Sequence, residues 1–134
     1  MGLFSSLNIA ATGLTAHRQW MDLIAGNVAN ASTTRTAEGG PFQRQLAFFR
    51  DIVDTKGNVL GVQVAGIGKD TAPPRLVYEP GHPDANAEGY VAYPNVDIMM
   101  EMVDLIAASR AYEANVSSFQ AAKDMAQATL SMLT

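Results

Sequence analysis

The sequence predicts an α+β chain: long N- and C-terminal helices paired as a coiled coil, with a small β-rich insert between them. Three observations predict it. Apolar side chains recur every seven residues at both ends of the chain. All six prolines and most of the glycines lie in the middle, from Thr33 to Pro94. Within that middle stand short runs rich in β-branched and aromatic residues. The resulting boundaries are 1–32 for an N-terminal axial helix, 33–95 for the insert and 96–134 for a C-terminal axial helix. The two helices are read as one coiled-coil domain.

In the first segment Leu7, Leu14, Met21 and Val28 form one register of the seven-residue repeat. Leu3, Ala10, His17, Ile24 and Ala31 form a second. Together they make a seam of mostly apolar side chains along one side of a helix. No proline interrupts it, although Gly13 and Gly26 each lower its intrinsic stability by about 1 kcal/mol relative to alanine. Asn27 and Asn30, followed by Ser32, Thr33 and Thr34, read as a helix end running into a turn.

The insert carries four strand-like runs: 45–49, 59–64, 75–78 and 90–93. Lys56-Gly57-Asn58 reads as the turn of a hairpin joining the first two. Pro73-Pro74 and Glu79-Pro80-Gly81-His82-Pro83 read as turns or extended connectors. In the last segment Ile98, Leu105, Tyr112, Phe119, Ala126 and Leu133 recur every seven residues. Met102, Ser109, Val116, Lys123 and Leu130 supply the expected partner register, and Met99, Val103, Ile106, Met125 and Met132 widen the stripe. Pro94 precedes this helix, and Asn95 or Asp97 is placed to cap it.

Composition narrows the function classes. Apolar residues make 48% of the chain and charged ones 16%, well under the roughly 25% of an average soluble domain. A surface so poor in charge suits a molecule surrounded by neighbours. The net charge of -4 argues against nucleic acid, and no basic patch addresses an anionic membrane. With no cysteine there is no disulfide, thiol nucleophile or cysteine zinc site. The N-terminus has neither the basic region nor the unbroken apolar run of a Sec signal peptide, and no membrane-spanning stretch is present.

Catalytic and cofactor signals are weak throughout. His17 falls on the first seam and reads as an inter-helix contact; His82 reads as a solvated loop residue. Gly66-Ile67-Gly68 lacks the third glycine and following helix of a dinucleotide loop. Asp97, Glu101 and Asp104 lie at helical spacing, which is how negative charge favours the positive end of a helix dipole. No catalytic, metal or cofactor-binding residue is assigned. The informative residues are the two seams, too long to be covered by the insert alone, so they read as surfaces for other subunits.

Two sequence blocks then carry a resemblance. The run from Met21 to Thr33, with Asn27 and Asn30 in an Asn-x-x-Asn helix end, resembles the N-terminal signature of bacterial flagellar rod, hook and hook-associated proteins. The run from Met102 to Asn115, including Arg110, Tyr112, Glu113 and Asn115, is similar to the C-terminal signature of that axial family. The middle, from Pro74 to Ala85 and from Glu88 to Asp97, narrows the resemblance to its proximal rod members. The resemblance implies terminal helices near the axis of a hollow tube, with the insert further out. It implies, as partners, other proximal and distal rod proteins, the MS ring or export-gate adaptor at the rod base, and copies of the chain itself. It implies delivery by the flagellar type III export apparatus, and torque transmission to the distal rod, hook and filament. It implies no cofactor, no nucleic acid and no direct membrane insertion. The expected assembly interface is Leu7, Leu14, Met21, Ile24, Asn27, Val28 and Asn30 on the first helix. On the last it is Ile98, Met102, Leu105, Arg110, Tyr112, Glu113, Asn115, Val116, Phe119 and Leu130.

Overall fold

The computed structural model describes residues 2–134. Along the chain run α1 (Leu3–Ala29), β1 (Gln45–Val53), β2 (Val59–Lys69), β3 (Arg75–Tyr78), β4 (Tyr90–Tyr93) and α2 (Ile98–Leu133). The fold is α+β as expected, with two long helices flanking a small antiparallel insert.

Each helix stops where local chemistry stops it. Asn30 closes α1: its backbone N–H and its side-chain amide both donate to Gly26 O, at 3.1 and 2.8 Å. Thr33 Oγ1 then donates to Asn30 Oδ1 at 3.2 Å, steering the chain into the turn. Asp97 opens α2, its Oδ1 accepting from the backbone N–H groups of Met99 and Met100 at 3.0 and 3.4 Å. That satisfies two donors that a helix start otherwise leaves free.

The helices are antiparallel. Asn27, near the end of α1, meets Glu101 at the start of α2, and Gly13 meets Asn115. Asn27 to Gly13 and Glu101 to Asn115 are equal steps along the two helices, so one register serves both contacts. Carried further, the same step sets Leu3 level with Met125, and the turns of α2 beyond it extend past the start of α1. The contact is tight because its residues are small. Ala10, Gly13 and Ala16 are buried on α1, and Ala108 and Ala122 on α2. A Cβ on Gly13 would stand 2.9 Å from Asn115 Nδ2, so the glycine that weakens α1 locally is what admits α2.

The seam on α2 differs from the expected one. Glu101, Ala108, Asn115 and Ala122 face α1 beside Leu105, Tyr112 and Phe119, which are half-buried. Of the expected partner register, Met102, Val116 and Lys123 lie exposed to one side, and Leu130 lies beyond the start of α1. The close approach to α1 requires alanine and short polar side chains, which leaves the larger apolar residues of that register outside the intramolecular contact.

The other side of α1 carries the β1–β2 hairpin. Asp54 Oδ1 accepts from the N–H groups of Lys56 and Asn58, at 2.7 and 2.9 Å, and Gly57 takes φ 83° at the expected turn. The pairing runs further than the apolar text, to Val53 and Lys69, with irregularities after Phe48 and Ile52. Phe48 lies across Gly68, covering a residue with no side chain of its own. The buried Gly61 passes so close to Thr12 that no Cβ fits, and Val62 N donates to Thr12 Oγ1 at 3.2 Å. Trp20 and Phe49 meet edge to face at 5.7 Å, with His17 about equally far from both, at 6.2 and 6.1 Å.

β3 and β4 form a separate antiparallel pair. Their connector is tied to the turn after α1 by Asp84, which accepts from Thr34 Oγ1 at 2.8 Å and pairs with Arg35.

Candidate assembly interface

Three surfaces carry the expected site residues. The first is polar and interior. Glu101 is 1% exposed, as is Asn27. Glu101 Oε2 accepts from Asn27 Nδ2 at 3.1 Å, and Glu101 Oε1 pairs with Arg44 Nε. Asn27 also reaches the first strand residue, donating to Gln45 O at 2.9 Å and accepting from Gln45 N at 2.8 Å. Its amide thus acts as one more peptide unit at the start of β1. Arg44 spreads further, to Asp104 at 3.4 Å and Asp70 at 3.8 Å. One cluster therefore joins the end of α1, the start of β1 and the first turns of α2. Glu101 stands in the first turn of α2, as the spacing predicts, and in addition points inward to a guanidinium, while Asp97 caps the helix end. Nothing in the sequence singles out Arg44 beyond its isolation among neutral neighbours.

The second surface is the helix seam. Ile24 is buried there, and Leu7, Leu14, Met21 and Val28 are half-buried. His17 is a helix contact, as expected: its Nδ1 lies 2.8 Å from Gly13 O and 3.2 Å from Asn115 Nδ2. Asn30 belongs to the cap of α1.

The third surface is the outward side of α2. Among the helices and strands described, α2 packs on α1 alone, so its opposite side is uncovered within the chain. Met99, Val103 and Ile106 follow one another there at helical spacing and are 78, 58 and 54% exposed. Met102 and Ile98 flank them, also exposed. Arg110 and Glu113 continue the same side and turn it polar. Past the start of α1, Leu130, Met132 and Leu133 are exposed too. A lone soluble chain rarely leaves so continuous an apolar stripe in water.

His82 is half-buried rather than solvated, accepting through Nδ1 from the Asp84 N–H at 3.0 Å. Hydrogen bonding from Thr34, then from Arg35 with its charge, holds the Asp84 carboxyl below its ordinary range. Among the described residues no helix is long and apolar enough to cross a membrane.

Comparison with known proteins matches both helical regions. Residues 7–35 match the family described as flagella basal body rod protein, and residues 87–132 match the flagellar basal body rod FlgEFG protein C-terminal family. The chain is 46% identical to the flagellar basal-body rod protein FlgC of Borreliella burgdorferi, over 99% of each chain. It is 41% identical to that of Bacillus subtilis, covering 93% of this chain and 94% of the relative. Against that of Escherichia coli O6:H1 the identity is 39% over 98% of each.

Proposed function

The chain belongs to the flagellar basal-body rod protein FlgC family, and from that membership we infer that it is a structural subunit of the basal-body rod. The observation that carries this reading is the uncovered apolar side of α2, on a helix whose other side α1 already occupies. In a tube of packed helices that stripe is covered by neighbouring subunits. A heterologous contact of this kind extends a helical array instead of closing a dimer.

In this reading the α1–α2 pair lines the inner layer of the proximal rod and the β hairpins face outward. The neighbours are other proximal and distal rod proteins, further copies of this chain, and the MS ring or export-gate adaptor at the base. The type III apparatus delivers the subunit, and its task is mechanical, carrying torque toward the distal rod, hook and filament. No catalytic role is assigned to it. Isolated basal bodies stripped of hook and filament test the placement. The chain is expected to co-purify with the rod, and cells lacking it to build no rod. Normal rods in such cells contradict the reading.

A further inference from the structure

The buried surface between α1 and α2 selects its own alignment poorly. Along α2 the inward positions read Glu101, Ala108, Asn115 and Ala122, one every seven residues. A slip of one such repeat exchanges Asn115 for an alanine opposite Gly13, and Gly13 accepts either. Packing of the small residues is therefore nearly degenerate under the slip, which gives up within the seam the 3.2 Å contact of Asn115 with His17.

The polar cluster is not. In one direction a slip sets Asn27 against Ala108 and carries Glu101 past the end of α1. In the other it sets Glu101 level with Trp20, far from Asn27, and carries Asn27 past the start of α2. Arg44 cannot follow in either case, because Asp70 N donates to Arg44 O at 2.8 Å and Asn27 holds the adjacent Gln45 by two bonds. Each slipped state strands Glu101 away from both of its partners, and a buried charge without a partner is strongly disfavoured.

We propose that the Glu101–Arg44–Asn27 cluster selects the register of the helix pair, while the small-residue seam supplies its packing. Glu101 is the positioning residue. Because Asn27 also fixes the first residue of β1, the same selection sets where the hairpin stands relative to the outward stripe of α2. This belongs to the folded chain and does not depend on the rod assignment.

The native chain has no cysteine, so introduced pairs report register cleanly. Gly13→Cys with Asn115→Cys reports the native register; Gly13→Cys with Ala108→Cys or with Ala122→Cys, each also carrying Asn115→Ala so that the new side chain meets no amide in the native register, reports the two slips. Disulfide yields are compared for the full chain in glutathione buffer. With Glu101 and Arg44 intact, the native pair is expected to exceed either slipped pair by about a hundredfold, the scale set by leaving a buried charge unpaired. Arg44→Leu combined with Glu101→Leu removes both charges and is expected to bring the three yields within about threefold of one another. Glu101→Gln removes the charge and leaves one oxygen where Arg44 and Asn27 each had their own, so it should bring the native preference to a value between these two. Continued preference for the native pair in the double-leucine chain overturns the proposal. So does loss of all three disulfides there, because the cluster would then hold the helices together rather than choose among registers. Absence of the native preference in the unsubstituted background overturns it as well.

Discussion

The two sides of the first turns of α2 are built the opposite way from an ordinary surface helix. The side facing its own chain carries Glu101, the half-buried Asp104 and the small Ala108. The side facing water carries Met99, Met102, Val103 and Ile106. An amphipathic helix normally buries the apolar side and wets the polar one. Here the intramolecular contact is short, polar and specific, and the large apolar side chains are left for something outside the chain. The contrast separates two jobs: the inward side holds the subunit's shape, and the outward side offers the area that association requires.

Substitutions that act on one side only should break or sharpen this contrast. The largest effect on the isolated chain is expected from Glu101→Ala. It takes from Asn27 and Arg44 the buried carboxylate they share, and breaking a buried pair of this kind costs about 3 kcal/mol; a urea titration reads it as a lowered midpoint. Next comes Gly13→Val, which drives a branched side chain into Asn115. Overpacking of a tight helix contact costs about 1–3 kcal/mol, measured by thermal unfolding followed by circular dichroism.

Ile106→Asp changes the other side. Chain stability should stay within about 0.5 kcal/mol of the parent, as for an exposed position. Incorporation into rods, and swimming, should be lost because a charge enters a dry contact. A large drop in the stability of the isolated chain would show that Ile106 is not free of its own fold.

The smallest effect concerns Asp84, away from both sides. Its carboxyl lies below its ordinary range when folded, so the stability it lends is present above its unfolded pKa. That stability fades as pH falls through the folded value, below about pH 4. Asp84→Asn should flatten that acid limb by slightly lowering stability at neutral pH, where the charge contributes, and leave the acid end nearly unchanged.

Much of this architecture is legible in the sequence, for identifiable reasons. Helix length follows from repeats uninterrupted by proline, and helix ends from Asn30 and Asp97, whose side chains act locally. The β1–β2 turn is read from Lys56-Gly57-Asn58. What the text conceals is what depends on distant partners. The strands outrun their apolar runs because Arg50 and Asp51 face solvent and Phe48 covers Gly68. Glu101 looks like any acidic residue in a first helical turn until Arg44, 57 positions earlier in sequence, is seen beside it. The intramolecular seam on α2 lies one position from the register that periodicity picks out, because periodicity weights methionine and valine above alanine, whereas close helix approach weights them the other way.

The most direct test of the central claim is the reactivity of a single cysteine at Ile106 toward a maleimide, compared between free subunit and isolated basal bodies. Free Ile106→Cys should label readily and the assembled form should resist. Thr55→Cys in the exposed hairpin turn, in the free subunit, gives the rate of an open position. Equal labelling of Ile106→Cys in the free and assembled states would mean that no neighbour covers the outward side of α2, and the account would fail.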